Sequence, residues 1–173
     1  MKKIIAIIWR AWNGKDAAWE YISKRTWAPV YQISSALRMI AAEKNIPETR
    51  ENLIAIWKQV ARDFWDEYLA KKILDFSNEE VIIITWMRQV WQIQYCKNNA
   101  EVLFIGILSE QAIRFKRLVQ NWKFQWNYED FLQLELLDEG SVQNVWKCLD
   151  HCSVIVENNA TIKEFEEKLD KII

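Results

Sequence analysis

The chain has 173 residues, with 23 Lys and Arg against 24 Asp and Glu and a net charge of −1. This length favours one domain with a real hydrophobic core, and the balanced charge excludes the basic surface that nucleic acid or an anionic membrane requires. No segment approaches the run of about 18 apolar residues that a bilayer span needs. Three cysteines without metal-ligand spacing favour a reduced, cytoplasmic protein.

Five short apolar runs are typical of strands buried on both faces of a parallel sheet. They are residues 4–8, 30–33, 81–85, 102–108 and 153–156. Helical stretches separate them at 14–25, 36–44, 48–64, 67–76, 90–98, 109–119, 128–138 and 141–149, and a last helix starts at a capping box at Thr161. This alternation predicts an α/β fold, a five-stranded parallel sheet between two helical layers, with ligands at the carboxyl ends of the strands.

Eleven tryptophans stand against three glycines, whereas an ordinary domain has about 7% glycine. Together the two residue types make 14 of the 173 residues, close to that ordinary glycine share. Several tryptophans occupy turn-like settings where glycine is used because it reaches positive φ without steric cost. These are Trp27, Trp65, Trp122 and Trp126.

The segment after the first strand carries the strongest functional signal. It reads Ile-Trp-Arg-Ala-Trp-Asn-Gly-Lys-Asp over residues 8–16. With Trp9 read as glycine it becomes the phosphate-cradling pattern G-x-x-x-x-G-K, with Asp16 where Ser or Thr is usual. Backbone N–H groups of such a loop hold phosphates, and Lys15 would reach the β- and γ-phosphates. The alternative interpretation is a strand-to-helix turn with an exposed lysine.

Six segments resemble the small P-loop kinases of nucleoside and deoxynucleoside monophosphates, with dephospho-CoA kinase and adenylate kinase as wider relatives. The resemblance covers about residues 3–170, and four of these segments hold Trp where the family holds Gly. Residues 8–16 are similar to the family loop G-x-x-G-S-G-K-D, and residues 56–66 to L-G-x-x-x-R-x-x-x-G-D. Residues 83–88 resemble I-I-D-G-x-R. The remaining matches are the segment 33–38 after the second strand, the lid, and the closing strand with its Asn158.

The resemblance implies a P-loop NTPase fold in a single domain, residues 1–173, with a lid at about 114–131 and acceptor-binding helices at about 34–76. It implies ATP and Mg²⁺ as cofactors and phosphoryl transfer to a small nucleotide, by a monomer or homodimer. The ATP-binding residues would be Trp9, Ala11, Trp12, Asn13, Gly14, Lys15, Asp16 and Ala17, with Asp16 also on the metal. The acceptor would contact Ser34, Arg38, Arg62 and Arg88. Catalysis would use Lys15, Arg88 and Arg114, and the lid would supply Arg114 and Lys123.

Departures from the family pattern keep other functions open. Thr85 replaces the acid that helps hold Mg²⁺ through water, the lid loop offers Asn121 and Lys123 instead of arginines, and Leu137 stands where another arginine is common. The chain could therefore be a non-catalytic nucleotide-binding or interaction protein, or an NTP hydrolase. Arg114, Lys116 and Arg117 on the basic helix could equally form a solvated face, with Arg114 the one expected to meet the nucleotide.

We hypothesise that the gene uses a codon which its own host reads as glycine and which the printed translation writes as tryptophan. A left-handed conformation costs an L-residue about 1–2 kcal/mol, so several such positions would consume the net stability of a domain. The alternative is an aromatic core, for which Trp57, Trp86 and Trp146 have the apolar context. A stacking platform is disfavoured because the tryptophans follow no period.

Overall fold

The computed structural model of the chain describes residues 1–10, 12–63, 67–121, 127–138 and 145–173. Ala11, Lys123 and the tryptophans at 65, 122 and 126 lie outside the described residues, so the predictions on them stay predictions.

Five strands form one sheet in which every neighbouring pair is parallel. They are β1 (Lys3–Trp9), β2 (Val30–Gln32), β3 (Val81–Thr85), β4 (Glu101–Leu108) and β5 (Val154–Glu157), in the order β2-β3-β1-β4-β5. The most buried strands, β1, β3 and β4, are the Ile-rich runs, because a strand covered on both faces has little room for polar side chains. The predicted five-stranded parallel sheet is thereby confirmed.

Helices connect the strands and cover both faces of the sheet. They are α1 (Lys15–Thr26), α2 (Ile33–Glu43), α3 (Arg50–Asp63), α4 (Glu67–Phe76), α5 (Val90–Asn99), α6 (Gln111–Asn121), α7 (Tyr128–Asp138), α8 (Val145–Leu149) and α9 (Ile162–Leu169). No helix among the described residues is both long and apolar enough to cross a membrane.

Local hydrogen bonds set two of the helix starts. Thr161 caps α9 as predicted, accepting a hydrogen bond from the backbone N–H of Glu164. The start of α2 was predicted at Ala36 and lies earlier. Gln32 is its N-cap, in a capping box with Ser35, so Ile33 is the first helical residue rather than the end of a strand.

The side chains of β1 alternate between two separate cores. Ile4, Ala6 and Ile8 pack in one core with residues of α2, α4 and α5. Ile5, Ile7 and Trp9 pack in the other with residues of α1 and α9. This period of two is what a central strand imposes, and it gives the three-layer architecture that the sequence predicts. The carboxyl ends of β1, β3, β4 and β5 consequently lie at one edge of the sheet.

Candidate phosphate-binding site

A cavity of about 500 Å³ lies at the carboxyl edge of the sheet. It is lined by Trp9, Trp12, Gly14, Lys15, Asp16, Trp86, Arg88 and Arg117. Three of these side chains are cationic and one is a carboxylate, so the lining among the described residues favours an anion. The structure thus brings together most of the predicted ATP-binding residues with Arg88 from the segment after β3.

The loop between β1 and α1 has a backbone that requires glycine at residue 14. Gly14 has φ 88°, and a Cβ added there would lie 2.3 Å from Nδ2 of Asn158. Both the left-handed conformation and the close approach exclude a side chain. The backbone N–H of Asn13 donates to the carbonyl of Arg10 at 3.3 Å, which closes the turn before α1 begins.

Two asparagines fasten this loop to the ends of β4 and β5. The Asn13 side chain is fully buried, and its Nδ2 donates to the carbonyl of Ile107 at 2.6 Å. Nδ2 of Asn158, just after β5, donates to the carbonyl of Asn13 at 2.9 Å. A loop held in this way keeps its shape without a ligand, as preorganised anion binding needs.

Three tryptophans adopt the left-handed conformation that the glycine hypothesis expects. Trp12 has φ 66°, Trp27 φ 57° and Trp86 φ 70°, and among the described non-glycine residues only Asn45 shares a positive φ. Asn tolerates this region, whereas a bulky residue is strained by about 1–2 kcal/mol. Trp27 also ends α1, donating its N–H to the carbonyl of Ser23 with its side chain 89% exposed. This is the usual glycine position of a helix end.

The aromatic-core alternative fails for two of its three candidates. Trp57 and Trp146 are 36% and 45% exposed, on α3 and α8. Trp86 does pack against both cores, but with the positive φ given above. Trp9 is different again: it is buried in β1, paired with Ile107, so its position demands no left-handed backbone. The indole of Trp9 would conflict with a bound phosphate only through the volume that it occupies.

Indole rings surround the Lys15 ammonium in the chain as written. Nζ lies 5.7 Å from the ring centroid of Trp9 and 5.3 Å from that of Trp86, and these two rings meet edge to face. Nζ also donates to Oδ1 of Asp16, which accepts a second hydrogen bond from Nε1 of Trp19 at 3.1 Å. The lysine therefore points into the cavity, where the rings occupy space that a phosphate would need.

One carboxylate beside the loop is suited to holding a cation such as Mg²⁺. Mg²⁺ is typically held by one or two carboxylates together with substrate phosphates and water. Asp16 supplies one carboxylate at the cavity. Oγ1 of Thr85, at the end of β3, is buried without a hydrogen-bond partner among the described residues. Thr85 stands where the family that the sequence resembles has an acid, and it is not among the described residues that line the cavity.

Arg117 is a cavity residue that the sequence did not single out. Its guanidinium donates to Oγ of Ser109 and the carbonyl of Asn158, each at 2.9 Å, and to the carbonyl of Trp12 at 3.4 Å. Burial lowers the pKa of this guanidinium from its ordinary value. The only signal in the sequence was its place on the basic helix, and nothing there indicated which arginine faces the loop.

Arg114 has a different position from the predicted one. Its side chain is buried and donates from both terminal nitrogens to the carboxylate of Glu135, and from Nε to the carbonyl of Ser109 at 3.2 Å. It is not among the described residues that line the cavity. In this structure Arg114 joins α6 to α7, whereas Arg117 faces the loop. The predicted roles of Arg114 in catalysis and in the lid stay predictions.

The predicted acceptor residues are only partly assembled around the cavity. Arg88 lines it, with its guanidinium 4.9 Å from the ring centroid of Trp86. Arg38 on α2 pairs with Glu48 at 3.5 Å, half exposed, and Oγ of Ser34 donates to Oε1 of Gln32 at 3.3 Å. Arg62 lies in α3, but its side chain is outside the described part of the structure.

Comparison with known proteins identifies similar sequences and similar structures. No protein-family model matches the chain. A UPF0200 protein of Methanocaldococcus jannaschii is 22% identical over 167 residues, which cover 92% of this chain and 83% of that protein. A UPF0200 protein of Pyrococcus horikoshii is 23% identical over 183 residues, covering 98% and 95%.

Solved kinases share the architecture. Shikimate kinase from Aquifex aeolicus superposes with a TM-score of 0.54 and 12% identity, over 97% of this chain and 94% of that one. A gluconokinase from Sinorhizobium meliloti gives 0.54 and 14%, over 96% and 89%. The chain therefore has the three-layer fold of the P-loop kinases.

Proposed function

We propose that this protein transfers the γ-phosphoryl group of ATP to a small phosphate-bearing acceptor, a nucleoside or deoxynucleoside monophosphate. The observation that carries the proposal is the Gly14–Lys15 turn: its backbone excludes any side chain, and its ammonium points into a cation-lined cavity. The fold of P-loop kinases supports phosphoryl transfer in general. The choice of nucleotide acceptor rests on the sequence resemblance.

Positioning and charge neutralisation supply most of the catalysis in phosphoryl transfer, so the roles follow from where the cations lie. Lys15 would hold the β- and γ-phosphates while loop amides cradle them. Arg88, after β3, lines the same cavity and would contact the transferred group or the acceptor phosphate. Arg117 would hold the phosphates on the side of α6.

Bound Mg²⁺ would neutralise charge on the β- and γ-phosphates during transfer. The carboxylate of Asp16 would hold it. Because Asp16 also accepts from Lys15, its carboxylate orients the lysine until phosphates compete for it.

The remaining parts of the proposal concern organisation. Residues 1–173 would act as one kinase domain in the cytoplasm, as a monomer or homodimer. The helices at 34–76 would bind the acceptor through Ser34, Arg38 and Arg62. The lid at 114–131 would bring Lys123 over the phosphates and exclude water, which prevents idle hydrolysis.

Glycine at the strained positions belongs to the proposal. In the chain as written, the indoles of Trp9 and Trp12 line the cavity where phosphates would lie. We propose that the functional protein carries glycine at 9, 12 and 86, which would free that volume and remove two left-handed strains. Intact mass of the protein from its own host checks this directly, and a mass with eleven tryptophans would exclude recoding.

A non-catalytic nucleotide binder is the second candidate. Two observations favour it: Thr85 is no carboxylate, and Arg114 is engaged by Glu135 instead of facing the cavity. Such a protein would bind ATP with the same dependence on Lys15 and release no ADP.

The test uses the chain with glycine at 9, 12, 27 and 86. Calorimetry measures ATP–Mg²⁺ affinity, and a coupled assay measures ADP release with a panel of monophosphates. Lys15→Ala is compared with Lys24→Ala, an exposed lysine two turns along the same helix. Acceptor-dependent ADP release that Lys15→Ala abolishes supports the kinase. ADP release without acceptor indicates a hydrolase, and binding without release indicates the second candidate.

A further inference from the structure

One buried carboxylate outside the cavity gathers groups from three segments. Glu135 of α7 accepts hydrogen bonds from both terminal nitrogens of Arg114 and, at 2.9 Å, from Nε2 of Gln111. Nη2 of Arg10 lies 3.7 Å from its Oε1. Burial acts to raise the pKa of Glu135, but the hydrogen bonds from Arg114 and Gln111 outweigh it and hold that pKa below its ordinary value. Glu135 is therefore a carboxylate anion among cations.

Arg10 is the member of this group that belongs to the phosphate loop. It follows β1 directly, and its carbonyl accepts the N–H of Asn13 that closes the turn. Its side chain leaves the loop: the guanidinium lies 4.4 Å from the ring centroid of Trp146 on α8 and beside Glu135. The backbone of one residue thus shapes the loop while its side chain reaches α7 and α8.

A second connection runs from α6 to the same loop. Arg117 donates to the carbonyl of Trp12, one turn of helix beyond Arg114. The helices α6 and α7 therefore meet the loop at two points, with Glu135 holding α6 to α7 between them. Removing one member of a buried charged group leaves the others uncompensated, so such a group resists rearrangement.

We propose that Glu135 is a positioning residue for the phosphate loop: through Arg10 and Arg114 it ties the loop to α6 and α7, so that docking of these helices adds to the support that Asn13 and Asn158 give the loop. The tie exists without any ligand and does not depend on phosphoryl transfer. It goes beyond the proposed function because it makes the helices α6 and α7, which flank the predicted lid loop, a support of the phosphate loop.

Hydrogen exchange of the ligand-free chain tests the proposal. The protein as written is compared with Glu135→Gln and Arg10→Met; the second variant leaves the bonds of Glu135 to Arg114 and Gln111 in place and is expected to fold. In both variants the Asn13 amide should exchange about tenfold faster. Amides of β3, from Ile82 to Ile84, should keep their rates. Glu129→Gln, an exposed site on the same helix, is the control and should change neither.

Two further results decide between positioning and simple structural support. Glu135→Asp keeps the charge and should restore part of the Asn13 protection, whereas equal acceleration in the loop and β3 would indicate global destabilisation and overturn the proposal. An unchanged Asn13 rate in Glu135→Gln would overturn it as well. The exchange experiment needs no nucleotide. If the protein fails to bind ATP, the proposed function is contradicted, but the exchange rates still test the role of Glu135.

Discussion

The proposed phosphate side and the proposed acceptor side of the site are built in different ways. On the phosphate side, polar side chains hold the loop: Asn13 and Arg117 donate to main-chain carbonyls at the ends of β4 and β5, and Asn158 donates to the carbonyl of Asn13. On the acceptor side, Arg38 is half exposed and held by a surface ion pair. Buried contacts fix geometry, while exposed pairs contribute little and rearrange easily. The phosphate side is thus preformed, and the acceptor side is left adaptable.

The sharpest test of this difference removes charge from the preformed side. In the glycine-containing chain, Lys15→Ala should lower kcat/KM for ATP by about 10²–10³-fold, since a preorganised cation on a developing charge is worth that much. Steady-state kinetics with ATP varied gives the value, and Lys24→Ala provides the matched control. A loss below about threefold would mean that the loop does not hold phosphate.

Adding one methyl group should break the preformed loop without touching any charge. Gly14→Ala should lower the free energy of unfolding by about 2–4 kcal/mol, because it adds left-handed strain to a clash with Nδ2 of Asn158. Gly106→Ala is the comparison: its φ is not left-handed, and the added Cβ would meet the side-chain ends of Ile155, Leu149 and Cys152 at 2.4, 3.0 and 3.1 Å. Urea denaturation of both should find Gly106→Ala the milder change; equal losses would contradict the special role of Gly14.

The phosphate side was also the more predictable from sequence. The Ile-rich β1 and the pair Gly14–Lys15 define the loop locally. They are close together both in the sequence and in the structure, so no long-range contact is needed to predict the loop. Which of Arg114 and Arg117 lines the cavity was not predictable, because it depends on the orientation of α6 relative to α7 and β5. The strain at Trp86 agrees with the resemblance, in which residues 83–88 match I-I-D-G-x-R with glycine at this position, although no apolar pattern indicates a positive φ there. Contacts between distant segments decide such details.

On the adaptable side, a substitution should change acceptor binding alone. Arg38→Ala should raise the KM of the acceptor about tenfold and leave the KM of ATP unchanged. Its effect on unfolding should stay below about 1 kcal/mol, because the pair with Glu48 is exposed. Initial rates with each substrate varied in turn separate the two constants. An equal change in the KM of ATP would mean that the two sides are not independent.

The smallest expected effect is at Trp27, which lies outside both the phosphate side and the acceptor side. It separates the cost of backbone strain from the gain of side-chain packing. Trp27→Gly should raise the free energy of unfolding by about 1 kcal/mol, since it relieves a left-handed residue whose exposed indole gains no burial. Trp91→Gly makes the same chemical change within α5, also at an exposed side chain, and should lower stability by about 0.5 kcal/mol through helix propensity. If thermal denaturation shows that Trp27→Gly stabilises and Trp91→Gly destabilises, the left-handed backbone at Trp12 and Trp86 is expected to cost stability in the same way. If both changes destabilised equally, the left-handed tryptophans would cost nothing, and the need for glycine at the phosphate loop would rest on volume alone.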